Sequence, residues 1–192
     1  KSTTKQYTEP INISESVLIA FYAQLNGGVS KTISSEFVRM ADDKDIKLTY
    51  APANQYSSGG ANNLIDGVRC SPDFRVGGWL GFEKVNLEAV IDLREMKTLT
   101  TFGAGFLQDE NAWVFMPSHL DFYISDNGTD YKPLLTINND VATDAKGCIL
   151  KTFEKTVAPV KTRFVKMVAT NIGTCPAGHK GNGGAAWMFA DE

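Results

Sequence analysis

The chain has 192 residues, 43% hydrophobic and 21% charged, enough to bury ~70% of its unfolded surface and to support one full domain plus a small extra piece. Its 19 Lys and Arg stand against 22 Asp and Glu, a net charge of −3, which argues against a nucleic-acid binder, because phosphates demand a cationic surplus on one face. The longest apolar run, 17–23, is strand-length, far short of the ~20 residues that span a bilayer, and no apolar h-region follows Lys1; the expectation is an excised segment of a soluble protein, with any signal peptide cut away or far upstream.

In chain order, strand candidates fall at about 9–13, 16–23 and 33–40, before the polar run Ala41-Asp42-Asp43-Lys44-Asp45. Three strands rarely make a stable sandwich alone, so a boundary is placed here. Residues 1–44 are read as the C-terminal part of a larger upstream β-domain, and 45–192 as a domain of their own. Beyond it Ile46, Leu48 and Tyr50 alternate with Lys47 and Thr49. Leu87, Ala89, Ile91 and Leu93 share one face opposite Glu88 and Asp92, and Leu120, Phe122 and Ile124 alternate with Asp121, Tyr123 and Ser125. Segments 17–23, 149–153 and 163–169 read as strands buried on both faces. Turn signals at Asn26-Gly27-Gly28, Asp66-Gly67, Gly77-Gly78, Asp126-Asn127-Gly128 and Gly181-Asn182-Gly183-Gly184 separate them. With no sustained 3.6-residue apolar stripe, the class is all-β, a sandwich.

Catalytic signatures are missing: no nucleophile elbow, no phosphate-cradling Gly loop and no His-Glu-x-x-His. The acidic pairs Asp109-Glu110 and Asp191-Glu192 are adjacent in sequence. Strand neighbours point to opposite faces, so each is a poor glycosidase dyad unless a turn redirects it, and both read as solvated or metal-binding. His119, after Pro117 and before an alternating run, reads as a strand-entry residue. Cys70, Cys148 and Cys175 form no C-x-x-C pair; one disulfide with a spare thiol and three thiols are both open.

Three long polar loops carry more information. Residues 62–74 hold Asp66 among turn formers and need something to hold them, either calcium or bonds from Asp66 to backbone N–H groups. The loop 107–117 combines Glu110 and Asn111 with Trp113, the mixture that stacks on a pyranose and pairs with its hydroxyls; a core role for Trp113 is the alternative. The third loop, 171–184, is glycine-rich and contributes His179.

The series Asn63-Leu64-Ile65-Asp66-Gly67, Trp79-Leu80-Gly81-Phe82 and Leu87-Glu88-Ala89-Val90-Ile91-Asp92-Leu93 resembles the opening of a discoidin (coagulation factor 5/8 type C) domain. Phe122-Tyr123-Ile124-Ser125-Asp126-Asn127-Gly128-Thr129-Asp130-Tyr131 and Arg163-Phe164-Val165-Lys166-Met167-Val168-Ala169 resemble later elements of that family. Asn171-Ile172-Gly173-Thr174-Cys175-Pro176 and Ala186-Trp187-Met188-Phe189-Ala190-Asp191-Glu192 are similar to the C-terminal module of bacterial family 20 β-N-acetylhexosaminidases (chitobiases). Tyr7–Ile13 with Val17–Phe21 resembles the end of the small immunoglobulin/fibronectin-like β-domain that precedes it there.

This resemblance implies a galactose-binding-like jelly-roll β-sandwich and a non-catalytic carbohydrate-binding module of a secreted, periplasmic or extracellular glycoside hydrolase. The segment itself is expected not to be an enzyme. Its implied partners are a GlcNAc- or galactose-type glycan and the parent catalytic domain, with no nucleic acid and no membrane span. The family's structural calcium is matched by Asp66 and Glu192, although Trp79 follows Asp66-Gly67 only after an inserted Ser71–Gly78 stretch. The expected sugar contacts are Trp113, Asn111, Glu110 and His179. The alternatives are a structural domain packing on the catalytic domain without binding sugar, and a lipid or protein adhesion module.

Overall fold

Alternation of apolar and polar side chains, broken by glycine turns, folds the chain into antiparallel β-strands with 3-10 turns between them. The structure, a computed structural model, describes residues 4–37, 39, 43–57 and 59–192. Contacts divide the chain into two units, Lys1–Met40 and Ala41–Glu192. Residues 38 and 40 of the strand candidate 33–40, and Ala41 and Asp42 of the expected boundary, lie outside the described residues.

In the first unit β1 (Val17–Phe21) pairs with β4 (Ile33–Phe37), and β2 (Gln24–Leu25) with β3 (Gly28–Val29). Asn26 and Gly27 join β2 to β3, both at positive φ (48° and 81°), as a two-residue hairpin turn requires. The pairs Val17↔Phe37, Ile19↔Ser35 and Phe21↔Ile33 gather apolar side chains on one face, and Tyr7 meets Phe21 edge-on. Two expectations need correction. Residues 9–13 form no strand; Pro10 lacks the N–H that pairing would use. The run 17–23 is not buried on both faces: β1 pairs with β4 alone, and Leu18, Phe21 and Tyr22 are exposed.

The second unit contains β5 (Asp45–Leu48), β6 (Leu80–Glu83), β7 (Leu87–Asp109), β8 (His119–Ser125), β9 (Lys132–Asn138), β10 (Cys148–Ala169) and β11 (Trp187–Ala190). β7 and β10 are long enough to serve two layers. The first part of β7 and the last part of β10 lie between β5 and β8, with β9 beyond β8; the remaining parts pair with each other, and β11 and then β6 continue from β7. The ribbon changes register between Thr156 and Val160 and again between Thr162 and Phe164, irregularities of the kind that bend a strand from one layer to the other. The result is the expected two-layer jelly-roll β-sandwich.

Side chains from both layers meet in one core that includes Phe82, Leu87, Phe106, Met116, Leu120 and Met188. Phe102 and Phe122 touch across it at 5.8 Å between ring centroids. Segments 149–153 and 163–169 also correct the expectation of two-sided burial. Phe153, Val165, Met167 and Ala169 are buried while Leu150 is exposed and Lys166 half-buried, since each antiparallel layer faces the core on one side only. Among the described residues no helix is long and apolar enough to cross a membrane. Leu120→Ala should lower unfolding free energy by about 2–5 kcal/mol in urea titrations, whereas exposed Leu150→Ala should change it by no more than about 0.5 kcal/mol.

Candidate functional site

Two loops on the edge of the β6–β11 layer enclose a cleft of about 290 Å³ lined by Asn54, Gln55, Tyr56, Ser57, Phe74, Arg75, Gly77 and Trp79. Tyr56 belongs to a 3-10 turn after β5 and Phe74 to another before β6. The rings are seated by mutual edge contacts: Tyr56 on Phe74 at 5.9 Å, Tyr56 on Trp187 at 5.3 Å, and Phe74 on Phe189 at 5.0 Å. Asp73 accepts the Arg75 N–H as the cap of its turn and also pairs with the guanidinium at 3.3 Å. That guanidinium lies 4.4 Å from the centre of the Phe74 ring, a cation–π arrangement that leaves its other donors free to face solvent. Amide, hydroxyl, guanidinium and aromatic groups therefore converge on one concavity. The sequence marked Trp79 and the 62–74 loop. It gave no sign that Asn54–Ser57, twenty residues earlier, would close the other wall.

The four residues expected to contact sugar are brought together, but in unequal roles. Trp113 ends a 3-10 turn at φ 65°, in the left-handed region, and stays 37% exposed. Its indole lies on Gly181 and Gly184, where a Cβ would come within 2.6 and 2.8 Å of ring atoms. Asn111 is exposed and accepts from Lys180 Nζ at 3.3 Å.

His179, with a side chain only 6% exposed, meets Phe115 and Trp113 edge-on. Its Nδ1 accepts the Gly181 N–H at 3.0 Å, so Nε2 carries the proton and donates to the Glu110 carbonyl at 2.7 Å. Glu110 is 5% exposed rather than solvated, and its hydrogen bond to Lys146 holds its carboxyl below the usual carboxylate range. Glu110 and His179 thus form the floor under Trp113, while Asn111 and Trp113 face outward. The main chain links this ledge to the cleft wall, because the Trp187 N–H donates to the Trp113 carbonyl.

Asp66 and Glu192 also come together. Asp66 accepts the Val68 N–H at 2.8 Å, and a Glu192 carboxylate oxygen accepts the Gly67 N–H. Burial pushes the Glu192 pKa up, the Gly67 bond opposes this, and the adjacent Asp66 carboxyl raises it further. Two hard oxygen donors held side by side against their repulsion suit a divalent cation. Among the described residues no group of three or more His, Cys, Asp or Glu gathers, so other ligands to such an ion would be main-chain oxygens and water. Asp191, expected to be solvated or metal-binding, is instead 3% exposed and accepts from Cys70 N–H and Arg69.

His119 lies at the start of β8 between Ser118 and Asp121. The three cysteines are free thiols; burial, with Asp191 and Asp66 nearby, pushes Cys70 up to about 11.

This two-layer β-sandwich, with loops gathered at its rim, is a fold of the discoidin type. The F5/8 type C domain model matches residues 49–189, and the chain belongs to that family. Among solved structures, it is similar to CpGH89CBM32-5 from Clostridium perfringens in complex with GalNAc-β-1,3-galactose (15% identity, 78% of this chain and 96% of that one, TM-score 0.44). It is also similar to the C-terminal domain of a chitobiase from Bacteroides fragilis (18%, 79% and 93%, TM-score 0.41) and to the family 32 CBM of C. perfringens NanJ in complex with galactose (12%, 78% and 94%, TM-score 0.45). No curated protein matches the chain.

Gly181→Ala should force the indole off its seat and lower stability by about 1–3 kcal/mol. In parallel thermal unfolding, the exposed neighbour Asn182→Ala should stay within about 0.5 kcal/mol of wild type.

Proposed function

We propose that the chain is a non-catalytic carbohydrate-binding module that holds a parent glycoside hydrolase on its glycan. The observation that carries this reading is the cleft itself. Tyr56 offers an aromatic surface beside the exposed amides of Asn54 and Gln55 and the oriented guanidinium of Arg75. Pyranose rings present C–H faces to aromatic surfaces and hydroxyl pairs to such planar donors and acceptors. Trp113 and Asn111 supply a second contact surface on the neighbouring ledge, supported from beneath by Glu110 and His179. A cleft of this size suits one or two sugar units, so single-site affinity is modest, and tethering to the enzyme supplies the effective concentration.

The residue runs at 171–176 and 186–192 support a family 20 β-N-acetylhexosaminidase of the chitobiase type as the parent, exported to the periplasm or the cell exterior. Residues 1–44 are then the end of its preceding small β-domain and 45–192 the module. Calcium fits the Asp66–Glu192 pair, where it would neutralise two crowded carboxylates and fasten the loop that begins at Asp66.

Titration with galactose, GalNAc and chitooligosaccharides, followed by NMR, should give saturable shifts at millimolar sugar. Tyr56→Ala and Arg75→Ala should each weaken binding about tenfold, corresponding to about 1.4 kcal/mol, and Trp113→Ala should weaken it less. Binding to liposomes or to the isolated catalytic domain with no response to any sugar would replace this reading with an adhesion or packing role.

For the acidic pair, the folded state holds the Glu192 proton more tightly than the unfolded chain does. Its contribution to stability therefore falls as pH rises from the ordinary carboxylate range through the raised value. Millimolar calcium should raise the melting temperature at pH 7, and the rise should shrink as pH falls towards 4 and vanish in Asp66→Asn.

A further inference from the structure

The side of the cleft formed by Phe74, Arg75, Gly77 and Trp79 is a loop with little regular structure, and its stem is fastened at Cys70 by the buried Asp191, with Glu192 holding Gly67 just before it. Asp191 lies just past the end of β11, where its N–H donates to the Gly105 carbonyl at 3.2 Å. Its carboxylate accepts the Cys70 N–H at 2.8 Å through one oxygen and Arg69 Nη1 at 3.2 Å through the other. Gly105 makes room for this: a Cβ there would fall 2.3 Å from both Arg69 Nη1 and Asp191 Oδ1. The far side of the loop closes on itself, with the buried Trp79 indole Nε1–H donating to the Ser71 carbonyl at 2.8 Å and Asn63 Nδ2 donating to the Gly78 carbonyl at 2.9 Å. Trp79 is 2% exposed.

We infer that Asp191 is the positioning residue of the cleft, acting through Arg69 and the Cys70 N–H across the space that Gly105 leaves open. Its hydrogen bonds go to Arg69, Cys70 and Gly105, none of which lines the cleft. A charge-assisted, two-oxygen grip on the loop stem fixes where the chain enters the turn that carries Phe74 and Arg75. A loop of this length without strand pairing would otherwise sample many conformations, and ordering it at the moment of ligand binding would weaken affinity. The inference rests on the cleft being the saccharide site, but the latch itself has an independent reporter, because the Trp79 indole bond spans the loop.

The experiment compares wild type with Asp191→Asn, Gly105→Ala and Arg69→Lys in two measurements: hydrogen exchange of the Trp79 Nε1–H, and galactose and GalNAc affinity by NMR titration. Asp191→Asn and Gly105→Ala should speed indole exchange at least tenfold while the core amides of Phe106 and Leu120 keep their protection, and should weaken sugar binding at least fivefold. Arg69→Lys, which keeps the cation, should fall between these variants and wild type. Unchanged indole exchange in both variants overturns the proposal. So does faster exchange with undiminished sugar affinity, since the latch would then not serve the site. Faster exchange in a protein whose wild type binds no sugar upholds the latch on the loop and removes the carbohydrate reading instead. Should the buried substitutions prevent folding, Arg69→Met, made on the half-exposed partner, is held to the same two criteria.

Discussion

β7 and β10 run alongside each other for most of their 23 and 22 residues, and both layers of the sandwich are built on that one antiparallel pairing. Because the period of a strand is two, a slip of one residue would turn Phe102, Ala104 and Phe106 away from the core and bring Thr101, Gly103 and Gly105 into it. The register is therefore set by burial along a ribbon that serves both layers. β5 and β8 attach to one stretch of it and β11 to the other. The loops after β5, β7 and β10 inherit their positions from this frame, which is why residues remote in sequence meet at Tyr56, Trp113 and Trp187.

The loops themselves are held by polar groups that the fold buries and satisfies. Glu110 is tied to Lys146, with its carbonyl bound by His179; Asp191 is tied to Arg69 and Cys70; Asn171 donates to the Phe82 carbonyl. Among the described residues, no buried side-chain nitrogen or oxygen lacks a hydrogen-bond partner. Such networks specify one loop conformation, since every alternative leaves a buried donor or acceptor unpaired. Groups spent in this way are unavailable to a ligand. Asn54, Gln55, Arg75, Asn111 and the open side of Trp113 are among the groups that remain outward.

That division bears on function. The carboxylates of Glu110 and Asp191 anchor loops, and the cleft presents rings, amides, a hydroxyl and a guanidinium. Groups of these kinds can stack on a ligand and hydrogen-bond with its hydroxyls. The left-handed conformation of Trp113 is uncommon for a bulky residue, and such positions persist where the surroundings enforce them. Here the enforcing contacts are the flat glycine surface of Gly181 and Gly184 and the buried imidazole at the indole edge.

Much of the scaffold was legible in the residues. Leu87, Ala89 and Leu93, like Leu120 and Phe122, advertise one-sided strands through alternation, and the Asp126-Asn127-Gly128 and Gly181–Gly184 signals mark real turns. The continuity of β7 through Arg94-Glu95-Met96-Lys97 was not legible, because an exposed bend needs no apolar period. Nor was one-sided burial at 149–153, where Leu150 reads like a core residue until its layer is known. At the rim, the sequence nominated Trp113 and Asn111 alongside His179 and Glu110 without distinguishing the pair that faces solvent from the pair beneath. Strand class, turn positions and family are thus written locally, since pleat and turn chemistry act over two to four residues. The convergence of Asn54–Ser57 with Phe74–Trp79, and the grip of Asp191 on Cys70 across 121 positions, were decided only by tertiary structure, because long-range register has no local signature.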